Sequence, residues 1–146
     1  MQQNEWIYDW NEARAPLIAP GTSVLLNDET LRDGLQNPSV HDPSIEEKIE
    51  ILHLMESLGI DSLNIGLPGA GPRAAAHTEA LAREIAANRM KIRPNAAART
   101  VEADIRPIAE ISQRVGIAIE AATFLGSSPI RWRPNLRAAL PQCRNS

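Results

Sequence analysis

Apolar residues in this chain fall into two rhythms, short continuous runs and longer stretches where they recur every three or four positions. Val24, Leu25 and Leu26 form a run of the kind that a buried parallel strand shows. After a polar loop, Ile45, Ile49, Leu52, Met55 and Leu58 recur at helical spacing and predict a helix with one apolar face. Ser44 and Glu47 form a capping box ahead of it: the serine hydroxyl accepts from the N–H of residue 47 while the glutamate reaches back. Gly59 supplies a left-handed stop. The unit then repeats. Ser62 to Ile65 reads as a second strand, GLPGAGP as its loop, and Arg73 to Ala87 as a helix with Leu81 and Ile85 on its buried face. Lys91 to Ala98 is a third, weaker strand. Asp104 is expected to cap a helix running to about Val115, a start that puts Pro107 in the first turn, and Gly116 ends it. Ile117 to Ala122 makes a fourth strand, with the loop 124–129 beyond it.

Strand starts near residues 23, 62, 91 and 117 suit successive βα units joined by right-handed crossovers. The class is α/β. Four such units make either a small open sheet or the first half of a TIM (β/α)8 barrel, which needs about 250 residues when whole. In both, chemistry belongs at the carboxyl ends of the strands. The loops of interest are therefore 27–43, 66–72, 98–103 and 123–130.

Composition narrows the function classes. One cysteine in 146 residues leaves no disulfide framework and no cysteine-based zinc site, which points to a reducing, cytoplasmic setting. No apolar run approaches the roughly 20 residues of a membrane helix, and the first residues carry no secretory pattern. Membrane and nucleic-acid partners are not expected, the latter because the sequence pI is near 5.6. The charge divides unevenly. All 18 acidic residues and 11 of the 15 basic ones precede Arg131, whereas the last sixteen residues carry four arginines and no acid. Three regions follow: an aromatic and polar leader over 1–21 with Trp6, Tyr8 and Trp10, a catalytic region over 22–130, and a basic tail over 131–146. The tail reads as a disordered or frameshifted end, or as a short exposed helix over Leu136 to Leu140.

The first loop concentrates the candidate chemistry. Within Asp28 to Gln36 stand three carboxylates and an arginine, with Gly34 expected to let the backbone turn sharply. A hard oxygen ligand such as Asp33 suits Mg²⁺ or Mn²⁺, and Zn²⁺ if imidazoles join. The neighbouring Arg32 can hold a carboxylate or an oxyanion with its planar fork, although an internal Arg–Asp pair in a polar loop would look the same. In the second loop, GAGPRA fits the dinucleotide fingerprint G-x-G-x-x-A. Pro72 removes one of its donors, and Arg93 and Asn95 stand in the next strand where a ribose-binding acid is needed, so a glycine-rich turn into a helix is the better reading. His41, His53 and His77 show no metal spacing.

The string DETLRDGLQ resembles D-x-T-L-R-D-G-x-Q, the signature of the 2-isopropylmalate synthase, homocitrate synthase and hydroxymethylglutaryl-CoA lyase superfamily. LMESLGIDSLNIGLPG, NAAARTVEADI and FLGSSPI resemble, in order, that family's first helix with second strand, third strand with its turn, and loop after the fourth strand. The resemblance covers about residues 22–130 and implies the N-terminal half of a TIM barrel. It implies that Asp33 is a ligand of a divalent metal (Mg²⁺, Mn²⁺ or Zn²⁺) and that Arg32 stabilises negative charge on the substrate oxygen. It further implies that Gln36 hydrogen-bonds near a bound 2-oxo acid, that Asp28 orients the loop from behind, and that Asn64, Arg99 and Ser128 lie in substrate loops. The implied reaction condenses acetyl-CoA with a 2-oxo acid, in a family whose intact members form homodimers.

Two departures stand out. The family's second strand commonly ends in Glu before its Gly-x-Pro turn, and here the position is Asn64. The family also takes two metal ligands from a His-x-His pair in the second half of the barrel, and no histidine follows His77. The isolated chain is therefore expected to be weakly active or inactive. RDGLQN also occurs in lyases of the group, so acyl-CoA cleavage is the alternative. A nonenzymatic half-barrel that self-associates through its strand edges is a third reading.

Overall fold

The computed structural model describes residues 23–125. Val24–Phe124 form one compact unit. Four strands, β1 (Asn27–Asp28), β2 (Ser62–Asn64), β3 (Arg93–Arg99) and β4 (Glu120–Phe124), make one sheet. Helices α1 (Ile45–Leu58), α2 (Pro72–Ala87) and α3 (Glu102–Val115) connect them. Every pairing is parallel, and the spatial order is β1-β2-β3-β4, with Asn27 opposite Ser62, Asn64 opposite Asn95, and Asn95 opposite Glu120. Sequence neighbours are thus sheet neighbours throughout. A doubly wound nucleotide sheet reverses its strand order at a switch point, and these four strands contain no reversal. Among the described residues the architecture is that of three consecutive βα units and the strand of a fourth, as in the first half of a TIM barrel.

The sheet has unlike faces because side chains alternate along each strand. Leu63 of β2 and Ile65, just beyond it, point to the helices, where they join Leu31, Leu52, Met55, Leu81, Ala82, Ile85, Ile92 and Ile111 in the main core. Ala96 and Ala98 of β3 pack with Ile108 of α3 in a smaller cluster. The opposite face is polar. Asn27, Ser62, Arg93, Asn95 and Glu120 line a shallow cavity of about 280 Å³ there. Asn95 donates to Asn27 Oδ1 (2.7 Å) and Ser62 Oγ (2.9 Å), tying three strands together across this face.

Several sequence expectations hold in detail. The capping box is present, with Glu47 N–H donating to Ser44 Oγ and Ser44 N–H donating to Glu47 Oε2. Gly59 and Gly116 end α1 and α3 in the left-handed conformation. Leu81 and Ile85 are buried on α2.

Four expectations are corrected. The apolar run Val24 to Leu26 is not the first strand; the ladder falls on Asn27 and Asp28, and all three apolar side chains are more than half exposed. Pairing with β2, rather than local apolarity, sets where the strand lies. Leu26 still accepts from the Asp61 and Ser62 amides and donates to the Asp61 carboxylate. Leu58 is 77% exposed. Steps of three residues rotate a side chain backwards by about 60° each, so the series that begins at Ile49 has left the core side by Leu58. That same rotation brings Lys48 into the buried sector, where it is 7% exposed.

The third correction concerns α3, which starts at Glu102 with Val101 as its N-cap, because Asp104 spends its carboxylate elsewhere. Pro107 consequently sits past the first turn, inside the helix. The fourth concerns β4, which starts at Glu120 and extends to Phe124, later than the apolar run from Ile117 suggests. Among the described residues no helix is long and apolar enough to cross a membrane. The leader, Ser128 and the basic tail lie outside the described residues.

Candidate active site

The loop after β1 is pinned at its middle and presents its charged residues on either side. Leu31 is buried in the main core. The carbonyl of Glu29 accepts from three amides, Arg32 (3.1 Å), Asp33 (2.8 Å) and Gly34 (3.1 Å), which coils the loop into a tight turn. The Asp28 carboxylate accepts from the Thr30 amide at 2.7 Å and starts that turn. A short 3-10 helix, Gly34–Gln36, follows. Glycine is not required at its head: a Cβ on Gly34 would meet nothing nearer than 3.8 Å, and the sharp turn comes from the shared Glu29 carbonyl instead.

Arg32 is held on two sides. Its Nε and Nη2 donate to Glu29 Oε2 at 3.1 and 2.5 Å, and its Nη1 donates to Asp33 Oδ1 at 2.8 Å. A guanidinium has five N–H bonds, so two remain to donate elsewhere. The Asp33 side chain is 62% exposed. Asn64, at the end of β2, is 1% exposed and donates to Glu29 Oε2 at 3.0 Å, while its own Oδ1 accepts from the Gly66 amide at 3.2 Å. Asn27 donates to Glu29 Oε1 at 2.9 Å. The structure thus gathers Arg32, Asp33 and Asn64 around Glu29. In the sequence Glu29 is one of three carboxylates in its loop; the contact with Asn64, 35 residues away, makes it the hub.

Gln36 closes the short 3-10 helix and is exposed. With Arg32 and Leu35 it lines a cavity of about 520 Å³ that also takes in Lys48, Arg73 and His77. Lys48 is bound there to Asp42 Oδ1 at 2.7 Å and lies 3.2 Å from His77 Nδ1, and Arg73 reaches Asp42 Oδ2 at 2.8 Å. The hydrogen bond from Lys48 leads in holding the Asp42 carboxyl below its ordinary range. Burial, then the Lys48 and Arg73 charges, push His77 down, favouring the neutral imidazole. Gly66 and Gly69 of the second loop serve packing. A Cβ on Gly66 would sit 2.4 Å from Thr78 Oγ1, and one on Gly69 would sit 2.9 Å from Asp104 Cγ.

Arg99 stands apart from this cluster, at the end of β3. It forms a two-pronged pair with Asp104, Nε to Oδ2 at 2.7 Å and Nη2 to Oδ1 at 2.8 Å, while its amide also donates to Oδ2 at 3.1 Å. Asp104 is 3% exposed, and chiefly through the Arg99 hydrogen bonds its pKa is lowered to about 2. A carboxyl whose folded pKa lies below its unfolded value contributes stability above the unfolded value, near 4, and loses it as pH falls through the folded one. Thermal unfolding from pH 5 to pH 2 should therefore show a fall in Tm between about pH 4 and pH 2. In Asp104→Asn that fall should be shallower, from a lower plateau at pH 5; equal acid slopes in the two proteins would contradict the assignment.

Among the described residues no three His, Cys, Asp or Glu side chains stand close enough to hold a metal ion. Asp33 offers one exposed carboxylate, with one oxygen already engaged by Arg32. By themselves these residues do not fit a complete divalent-cation site.

Comparison with known proteins places the chain in a family and gives named relatives. The HMGL-like family model matches residues 23–145, a range that includes most of the basic ending. The 2-isopropylmalate synthases of Erwinia tasmaniensis, Escherichia coli and Cronobacter sakazakii are each 34% identical over 119 residues, which is 82% of this chain and 22% of theirs. The chain spans about a fifth of the length of these curated relatives.

Proposed function

The chain belongs to the HMGL-like family, and from that premise we propose that its first loop forms the oxyanion side of a site that condenses acetyl-CoA with a 2-oxo acid. The observation that carries this reading is the geometry of Arg32: three N–H bonds are fixed by Glu29 and Asp33, and two are left at the carboxyl end of β1. In the condensation, an enolate derived from the acetyl group attacks the ketone carbon, the ketone oxygen becomes an alkoxide that takes up a proton, and water then cleaves the product thioester to free CoA. A preorganised, permanently charged donor at that oxygen lowers the barrier because its orientation is already set before charge develops. Gln36, on the cavity side of the loop, would hydrogen-bond the oxo acid. Asp28 would keep the turn in shape through the Thr30 amide.

Asp33 would give a divalent cation one oxygen, the remaining ligands coming from outside the described residues. Arg99, at the end of β3 and held by Asp104, is proposed as a substrate-loop residue, and so is Ser128, which lies outside the described residues. The string RDGLQN supports a second reading, cleavage of a hydroxyacyl-CoA by the same donor run in reverse.

The two readings separate in one assay. The protein is purified through a tag ahead of Met1, together with any longer chain or partner it carries. It is then supplied with divalent metal, acetyl-CoA and, in turn, pyruvate, 2-oxoisovalerate and 2-oxoglutarate, and free CoA thiol is followed. Release that depends on one of the oxo acids is the expected result. Cleavage of hydroxymethylglutaryl-CoA with no oxo-acid-dependent release would establish the lyase direction. The 146-residue chain alone is expected to release little CoA or none; inactivity in both directions of a preparation that contains the rest of the barrel would overturn the proposal.

A further inference from the structure

Glu29 carries an unusual load for a side chain at a position that the signature leaves open. One oxygen accepts from Asn27; the other accepts from Asn64 and twice from Arg32. Its three partners come from β1, from the loop itself and from the buried end of β2. Asn64 occupies the place where the resemblance leads one to expect a glutamate. A second carboxylate there would lie within hydrogen-bond distance of the Glu29 carboxylate, and two like charges that close cannot both ionise cheaply. An amide at 64 suits a carboxylate at 29: it donates to that carboxylate with Nδ2, and its Oδ1 takes the Gly66 amide.

We propose that Glu29 is the positioning residue for Arg32, and that the loop after β1 carries the negative charge at the site's inner wall, with Asn64 as its matched donor. Glu29 fixes the Nε edge of the guanidinium, so that the free donors keep one direction, while Asp33 engages a different edge through Nη1. The catalytic part of this inference rests on the proposed condensation; the structural part does not.

The test uses ¹⁵N-arginine-labelled protein and the Arg32 Nε–Hε resonance, assigned by its loss in Arg32→Ala. A slowly exchanging, downfield signal is expected in the parent and in Asp33→Asn. It should be lost in Glu29→Gln and partly recovered in Glu29→Asp. Persistence of the signal in Glu29→Gln, or its loss in Asp33→Asn alone, would overturn the assignment. A second pair of variants covers the case in which Glu29→Gln folds poorly. Asn64→Asp should lower Tm by placing two carboxylates together, and adding Glu29→Gln to it should restore much of that loss; additive losses would refute the charge match. In the CoA assay, Glu29→Gln should reduce kcat by about tenfold or more with little change in KM for acetyl-CoA, and Glu29→Asp should recover part of it. Expected spectra from a protein that releases no CoA would leave Glu29 as the residue that positions Arg32 and would remove only the condensation reading.

Discussion

Leu52→Ala is expected to lower the unfolding free energy by about 2–5 kcal/mol, the largest stability loss from a single core truncation in α1. Leu52 is fully buried among Leu31, Leu63, Leu81 and their neighbours, so the deleted carbons leave a cavity that the sheet and helices can only partly fill. Leu58→Ala is the matched control. It belongs to the same three-residue series in the sequence but is 77% exposed, so its cost should stay within about 0.5 kcal/mol. Urea unfolding of the two variants checks the contrast, and comparable losses would contradict the rotation of that series out of the core.

The second large effect is catalytic. Arg32→Ala should reduce kcat for CoA release by about 10² to 10³-fold, the range found when one preorganised oxyanion donor is removed. KM for acetyl-CoA should change little, because the guanidinium acts where charge develops rather than on the cofactor's bulk. Arg32→Lys should recover little of the loss. An ammonium lacks the planar fork that lets one side chain bind Glu29 along one edge, bind Asp33 through another nitrogen, and still direct two N–H bonds outward. A lysine variant as active as the parent would mean that positive charge alone suffices.

The fold was legible where its causes are local. Ser44, Glu47 and Gly59 bound α1 through contacts within a few residues of themselves, and Gly116 ends α3 in the same way. Strand limits were less legible because a parallel strand lies where its neighbour pairs: Asn27 belongs to β1 through Ser62, 35 residues on, although Val24 to Leu26 look more strand-like. The polar inner face was hidden for a related reason. Asn27, Ser62 and Asn95 read singly as unremarkable polar residues, and only the register brings them together.

The site divides along the same line. Arg32 and Asp33 announce themselves by adjacency, and the structure keeps them paired. Asp104 looked like a helix cap because Asp caps many helices, but its carboxylate is taken by an arginine five residues back and its flank is closed by Gly69. Glu29 could be weighed only once β2 was folded against β1, since Asn64 is what makes its position informative. The departure at Asn64 was visible in the sequence from the start; its compensation was not.

Arg32, held by Glu29 beside Asp33, is proposed to serve a condensation between acetyl-CoA and a 2-oxo acid. The most direct test is CoA thiol release by the protein purified with everything its chain is joined to, measured for parent and Arg32→Ala across the three 2-oxo acids. Release that requires one of those acids, and that falls about a hundredfold or more in Arg32→Ala, is the predicted result. Release that needs no 2-oxo acid, or that survives Arg32→Ala undiminished, would contradict the claim.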